Sequence, residues 1–373
     1  MIDFISIAVD TDEPIAVGKP FSVVQPAGHR TDSFTPMQVR ADAKAPAFEM
    51  RYDTKTKRLK FEGSPIMFLQ GHNAFGSDDL QWLVQQTIPL VFATAKMQMP
   101  PDVMHRITVG NYSISAVDVT KHFRLCSGTV QQFCEWVRVH APTSLKATPA
   151  ERGVGVRLLP NSRSTAFYLY DKAHYFADRG AKSRHMVLGN YLAGSFERIG
   201  ANMLFNRMRH ELENVLRVEA KFKRSLSAKR WKLDRGFAWQ LNSADRLFYS
   251  TVQDLPLNNI SAGSSFEHLV NDASLPPEHR TGIALWLDGR DVASLSSSRP
   301  TYYRLRKKLL AKYSLDLSQP PPTVSPIDWM DLVQSHNAIA TPNWAINYHF
   351  VHTPETLFDD VAPPCQRAWI DSA

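Results

Sequence analysis

Alternation of apolar and charged residues is clearest in Leu216–Lys223, where every second side chain is apolar and the residues between are charged. Side chains of a β-strand point alternately to opposite faces, so this segment is predicted to be a strand with one buried face. Thr165–Lys172 is rich in aromatic residues and is bounded by polar ones, which also favours a strand. Further strands are predicted at Phe4–Val9, Phe48–Asp53, Arg58–Glu62, Ile66–Gln70, Tyr112–Thr120 and Val154–Leu159.

Apolar residues at helical spacing lie between these strands. Ser77 or Asp78 is predicted to cap a helix that Pro89 ends or kinks, and Ser127 is predicted to cap a second one. Two more helices are predicted at His185–Ile199 and Met203–Val215. This mixture predicts an α+β fold up to about residue 235, with a central, mainly antiparallel sheet and helices packed on it.

From residue 236 onwards the pattern changes to helices and loops. Leu285–Leu295 and Thr301–Leu310 are predicted helices separated by a polar turn, as in helix-turn-helix DNA-binding proteins. The side chains that would contact DNA are Tyr303, Arg304, Arg306, Lys307 and Lys308. The alternative is an amphipathic basic helix packed by its leucines. We therefore predict a domain of residues 1–235, a mostly helical DNA-binding region of residues 236–318, and a proline-rich break with a tail, residues 319–373.

The net charge of +7 is concentrated in two segments. Met203–Arg235 carries ten Lys or Arg against four Asp or Glu, and Arg299–Lys312 carries six with no acid. Such segments favour contact with a polyanion such as nucleic acid, although a solvated basic face has the same pattern. The three cysteines form no Cys-x-x-Cys pair, and no apolar run approaches membrane-spanning length. We expect an intracellular protein without a membrane partner.

Several polar side chains on the predicted strands, or at their ends, are candidates for chemistry. Tyr170 and Lys172 share one face of a predicted strand, which would place a cation beside a phenol that can attack phosphate. Asp118 lies within an apolar strand, where a carboxylate is costly to bury unless it is paired or bound to a metal. His72 lies in a turn between glycines, and Glu219 lies among cations. Each also has an ordinary explanation: aromatic packing, a turn hydrogen bond or a salt bridge.

The stretch Gly63–Leu80 contains the order Ser-Pro-x-x-x-Leu-Gln-Gly-His-Asn-x-Phe-Gly-x-x-Asp-Leu. Together with Ile114–Thr120, Tyr170–Lys172, Leu216–Ala220 and the opening Met-Ile-Asp, it resembles the filamentous-phage gene II/gene X family of replication proteins. The resemblance covers about residues 1–235 in scattered blocks, and Gln-Gly-His-Asn is its most specific part.

The resemblance implies rolling-circle replication. Family members nick one strand of a double-stranded origin, use the free 3′ hydroxyl as a primer, and rejoin the displaced single strand into a circle. The family tyrosine that takes the 5′ phosphate falls on Tyr170, with Lys172 beside it. A divalent metal, Mg²⁺ or Mn²⁺, is expected on His72, Asp118 and Glu219, where it would polarise the phosphoryl oxygen.

Departures from the family pattern leave the metal ligands and the nucleophile open. The His-x-His metal pair of the wider rolling-circle nuclease superfamily is absent, which leaves the single His72. This chain has Ala116 where the family strand has an arginine, and Tyr175 where the family has a glutamate. Tyr168 and Tyr175 are therefore alternative nucleophiles.

The expected partners are double-stranded origin DNA and the displaced single strand, with the host helicase and replication machinery, in the cytoplasm of a bacterial host. Arg217, Lys221 and Lys223 point to the polar face of the predicted strand and are expected DNA contacts. The alternative function is a non-catalytic, origin-binding regulator of replication, for which the basic segments would suffice.

Overall fold

The computed structural model describes residues 1–24, 30–41, 46–125, 129–150, 155–176, 198–257, 267–313, 315–318, 328–348 and 350–354. Ser127 and nearly all of the predicted helix His185–Ile199 lie outside these ranges. Within them, no helix combines the length and the apolar character that crossing a bilayer demands.

Eleven strands lie in the described residues. They are β1 (Ile2–Asp10), β2 (Pro20–Val24), β3 (Arg30–Phe34), β4 (Met37–Val39), β5 (Phe48–Asp53), β6 (Arg58–Gly63), β7 (Ser113–Arg124), β8 (Thr148–Pro149), β9 (Gly155–Leu158), β10 (Thr165–Asp171) and β11 (Val215–Phe222). β2 and β3 form a separate hairpin, and the others form one sheet in the order β4-β5-β6-β1-β7-β11-β10-β9-β8. Every neighbouring pair in this sheet is antiparallel. The predicted α+β class is confirmed.

The α-helices lie at Pro65–Gln70, Leu80–Thr94, Pro101–Thr108, Val130–His140, Arg198–Glu211, Ser243–Gln253, Glu267–Asn271, Pro277–Leu287, Val292–Leu295, Arg299–Tyr313, Trp329–Leu332 and Asn343–Asn347. Residues 172–176 are also helical.

The two faces of the sheet differ in character. On the apolar face, the ring of Phe61 lies 6.1 Å from that of Phe92, and Phe123 stacks at 6.4 Å on Phe248. Helices Leu80–Thr94 and Ser243–Gln253, which carry Phe92 and Phe248, therefore cover this face. On the opposite face, the strand register brings polar residues side by side: Tyr168 with Glu219, and Asp118 with Lys221.

The predicted strand Ile66–Gln70 is wrong, because this segment is helical. Ser64 Oγ accepts a hydrogen bond from the backbone N–H of Met67, and Pro65 occupies the first turn, where a missing N–H costs nothing. Gly71, at φ +79°, ends the helix in the left-handed conformation that glycine adopts without strain. A run of apolar residues this short does not distinguish helix from strand by its periodicity.

Other helix ends differ slightly from prediction. Asp79, rather than Ser77 or Asp78, caps the helix Leu80–Thr94 by accepting the N–H of Trp82, and Pro89 lies inside this helix without ending it. The helix Val130–His140 begins at a capping box in which Thr129 and Gln132 exchange hydrogen bonds.

The predicted domain boundary at residue 235 cuts through the main core. Trp239, Leu247 and Phe248 belong to the same buried cluster as the sheet, and so do Trp329 and Val333 from beyond the proline-rich segment. A separate small core joins the helices between residues 267 and 317. The described part of the tail packs on the first domain.

Candidate active site

A cleft of about 520 Å³ opens on the polar face of the sheet. Four of the five side chains predicted for catalysis or metal binding line it: Tyr170, Lys172, Asp118 and Glu219. They come from β10, the helical turn that follows it, β7 and β11, which are neighbours in the sheet. The antiparallel order thus joins groups that lie far apart in sequence.

Tyr170 is only 2% exposed, and its hydroxyl donates a hydrogen bond to Glu219 Oε2 at 3.5 Å. Burial raises the pKa of the Tyr170 phenol well above its usual range, while Arg217, whose guanidinium carbon lies 5.7 Å from the ring centroid, acts in the opposite direction. The phenol therefore keeps its proton at neutral pH. An attack by this oxygen needs a base, and the Glu219 carboxylate is in position to be one.

Two further tyrosines adjoin Tyr170. The rings of Tyr168 and Tyr175 lie 4.4 and 5.3 Å from its ring, both side chains are half-buried, and both line the cleft. The guanidinium of Arg157 lies 5.5 Å above Tyr168, and the Nζ of Lys172 lies 5.5 Å above Tyr175. All three phenols thus adjoin a cation at the same cleft.

An ammonium group joins the two predicted acidic ligands. Lys221 Nζ lies 2.7 Å from Asp118 Oδ2 and 2.8 Å from Glu219 Oε1. Burial, and next the charge of Glu219, raise the pKa of Asp118 to about 7, although Lys221 lowers it. Arg217 Nε also lies 3.9 Å from Glu219 Oε2, so two cations adjoin this pair of acids.

Arg217 does not lie on an exposed face, so its predicted role as a DNA contact is wrong. Its side chain is 0% exposed and donates to Asp3 Oδ2 at 2.6 Å and to the backbone oxygen of Asn73 at 2.5 Å. Unlike Lys172, Arg217 does not line the cleft, so its guanidinium does not reach a phosphate bound there. It holds together the floor of the cleft, because Asp3 and Asn73 both line it.

His72 is turned away from the cleft. Its Nδ1 accepts the backbone N–H of Ala74 at 3.3 Å, and its Nε2 lies 2.7 Å from the backbone oxygen of Phe350. Since an N–H can only donate and a carbonyl can only accept, the ring proton is on Nε2. Burial lowers the pKa of His72 to about 4, so the ring is neutral at physiological pH. Both nitrogens are occupied, and the predicted set of His72 with two carboxylates is not brought together.

Asn73 and Asp3 are site residues that we did not predict. Asn73 Oδ1 accepts a hydrogen bond from Lys172 Nζ at 2.9 Å, and Asn73 Nδ2 donates to both carboxylate oxygens of Asp3 at 2.9 and 3.0 Å. Lys172 is fully buried and starts the helical turn instead of ending the strand. The Gln-Gly-His-Asn block and the opening Met-Ile-Asp contained both residues, but sequence alone gave them no partner.

Of the three predicted metal ligands, only the two carboxylates are placed where they could share a divalent cation. Mg²⁺ keeps several waters and needs only one or two protein carboxylates, so Asp118 and Glu219 suit it, whereas His72 does not. The pKa of Asp118 is raised mainly because the side chain is buried, and next by the charge of Glu219. Within the described ranges, no group of three or more His, Cys, Asp or Glu side chains is arranged to hold a metal ion. The metal therefore stays a prediction, with two protein ligands.

The other predicted DNA contacts lie elsewhere. Lys223 is exposed at the end of β11 and lines a second groove of about 740 Å³ beside the cleft. On the helix Arg299–Tyr313, Tyr303 is 59% exposed, and Arg304, Lys307 and Lys308 are exposed too. Arg306 is different, because it donates two hydrogen bonds to Asp316, at 2.6 and 2.8 Å.

The part of the chain that resembles known proteins is the part that contains the sheet. Residues 1–241 match the family of phage replication-associated proteins of the gene II type, in the N-terminal part of those proteins. The chain is also similar to the replication-associated protein of this type from Enterobacteria phage I2-2, with 23% identity over 264 residues, or 71% of each chain. The family match includes every described strand and every residue that lines the cleft.

Proposed function

Because the chain belongs to the gene II family of phage replication-associated proteins, we propose that it initiates rolling-circle replication by nicking one strand of a double-stranded origin. The observation that carries this proposal is the cleft in which the Tyr170 hydroxyl meets Glu219 beside Lys172 and Lys221. A phenol, a proton acceptor and two cations are the groups that attack on a phosphodiester requires.

The chemistry follows from the charges. The oxygens of a phosphodiester repel a nucleophile, so cations must offset the charge that develops during attack. Tyr170 would form the new oxygen–phosphorus bond as its proton passes to Glu219. The bond from phosphorus to the 3′ oxygen breaks, and that oxygen leaves as a hydroxyl after taking up a proton. The phosphotyrosine keeps the energy of the cut bond, so the reverse reaction rejoins a strand without ATP.

A divalent cation belongs to this proposal as a cofactor. Asp118 and Glu219 would hold Mg²⁺ or Mn²⁺, which would supply Lewis-acid polarisation of a phosphoryl oxygen. The partners would be origin DNA, the displaced strand, and the host helicase and replication machinery in a bacterial cytoplasm.

Supercoiled DNA that carries the origin is the substrate that tests the proposal. With the unmodified protein and Mg²⁺ or Mn²⁺, we expect nicked circles, an extendable 3′ end, and protein that stays on the cut strand in a denaturing gel. A regulator without catalytic activity would bind the same DNA but leave it supercoiled and free of adduct.

Asp118→Asn is expected to lower metal-stimulated nicking by at least about 100-fold, because it removes one of two proposed ligands. It should also stabilise the protein near pH 8. The folded-state pKa of Asp118 is raised to about 7, so the folded protein binds this proton more tightly than the unfolded chain. The proton on Asp118 therefore stabilises the folded protein at low pH, and this stabilisation is lost as the pH rises through about 7.

Thermal unfolding of both proteins at about pH 4 and about pH 8 measures this effect. The difference between them should be largest at the higher pH. If Asp118→Asn is instead the less stable protein at about pH 8, the ion pair with Lys221 stabilises the fold by more than burial of the carboxylate costs.

The exposed cations of helix Arg299–Tyr313 are proposed duplex contacts. The logarithm of the DNA-binding constant falls as the logarithm of the salt concentration rises. The double substitution Arg304→Ala and Lys308→Ala should make this slope less steep by about 1 for each phosphate that the variant no longer neutralises. Arg306→Ala is the matched control, since Arg306 is already paired with Asp316. Titration of duplex DNA over a range of salt concentrations measures the slope, and an unchanged slope in the double variant would remove this helix from the interface.

A further inference from the structure

The residues beyond the proline-rich segment return to the active-site domain. We use the name C-terminal strap for residues 338–348 and 350–354. At one end, the backbone N–H of Ile339 donates to the backbone oxygen of His122 at 2.8 Å. At the other, the backbone N–H of His352 donates to Gln70 Oε1 at 3.1 Å. The strap therefore spans from β7 to the end of the first helix.

A buried apolar cluster anchors the strap. Ala345, Phe350 and Val351 pack with side chains from the 71–76 turn and from helix Arg198–Glu211, and also with Phe176. Phe176 directly follows Tyr175 in the helical turn that begins with Lys172. The strap thus contacts both short segments that carry polar groups into the cleft.

A hydrogen bond to His72 connects the strap to the segment that carries Asn73 into the cleft. His72 Nε2 donates to the backbone oxygen of Phe350, and the two rings lie 5.1 Å apart. The next residue, Asn73, holds Lys172 through its side chain and Arg217 through its backbone oxygen. A displacement of His72 would therefore move the partner of Lys172.

We propose that the C-terminal strap and His72 form a positioning device that fixes Asn73, and through it Lys172, for attack on the phosphodiester. The strap lies outside residues 1–241, the range that matches the family. This inference rests on the proposed function, since Lys172 matters only if the cleft cuts DNA. His72 acts here through neighbouring residues and binds no metal.

Two substitutions of His72 separate its two hydrogen bonds. His72→Asn places an acceptor near the position of Nδ1 but is too short to reach Phe350, whereas His72→Gln offers a donor near the position of Nε2. We expect His72→Asn to lower the single-turnover nicking rate by about 10- to 100-fold, and His72→Gln to retain more activity. The dissociation constant for origin DNA and the metal concentration for half-maximal rate should stay unchanged in both.

A second pair of variants tests the strap without changing His72. Val351→Asp puts a charge into the buried cluster and should detach the strap, because an unpaired buried charge is very costly. Asn347→Asp adds the same charge at an exposed position of the strap. Val351→Asp should lower the nicking rate as His72→Asn does, with DNA affinity preserved, and Asn347→Asp should behave like the unmodified protein.

Several outcomes would overturn the inference. Full nicking activity in His72→Asn, or in folded Val351→Asp, would show that the strap does not position the site. An equal rise in the metal requirement of both His72 variants would make His72 a metal ligand after all. Absence of any adduct with the unmodified protein would instead reject the proposed function, so the two failures are distinguishable.

Discussion

Tyr170→Phe is expected to abolish the covalent protein–DNA adduct and to lower nicking by roughly 10⁴-fold or more, the scale of losing a nucleophile. Phenylalanine keeps the ring, which packs between Tyr168 and Tyr175, and removes only the hydroxyl that meets Glu219. Folding and origin binding should therefore persist. Gel-shift titration and a denaturing gel with labelled DNA measure the two properties separately.

The neighbouring phenols provide matched controls for this experiment. Tyr168→Phe and Tyr175→Phe remove hydroxyls from the same cleft without touching the contact with Glu219. Both variants should still form the adduct. If the adduct persists in Tyr170→Phe and is lost in one of these two, the nucleophile is that other tyrosine, and the deep burial of Tyr170 would explain the choice.

Arg217→Met should be the most destabilising single change at the site, by about 3–5 kcal/mol, because it leaves a buried acid without its cation. Burial alone would raise the pKa of Asp3, but Arg217, Lys172 and Asn73 together lower it below its usual range. With the guanidinium gone, the Asp3 carboxylate must take up a proton or remain charged with poorer compensation. Urea unfolding at neutral pH measures the loss.

A double-mutant cycle identifies the source of this loss. Adding Asp3→Asn to Arg217→Met should recover part of the stability, since the uncompensated charge is then absent. Arg224→Met, an exposed arginine just beyond β11, should change stability little. If Arg217→Met proves as stable as Arg224→Met, the buried ion pair contributes nothing and Arg217 is free for another role.

Alternation in sequence was sufficient to predict most of the sheet. Phe48–Asp53 coincides with β5, and Leu216–Lys223 with β11 to within one residue, because a strand with one apolar face has a period of two. The same period assigned Arg217 to the polar face correctly. It could not reveal that the 71–76 turn covers that end of the face, so Arg217 was wrongly expected to meet DNA.

Contacts between distant segments account for what sequence could not predict at the site. His72 and Phe350 are 278 residues apart, and the acceptor is a backbone oxygen, which no residue type marks. Position alone favoured a hydrogen-bonded turn histidine, as observed, but it could not name the partner, and the expected metal role of His72 was wrong. Asn73 was overlooked for a similar reason, since its importance lies in Lys172 and Asp3, which come from other parts of the chain.

The sheet ends in very short strands, and this affects how copies of the protein can associate. β4 has three residues and β8 has two, and Pro149 in β8 has no N–H to donate. Exposed strand edges are templates on which other chains add strands and begin aggregates, and brief or proline-bearing edges discourage this. Copies of the protein at high concentration would thus resist joining their sheets edge to edge.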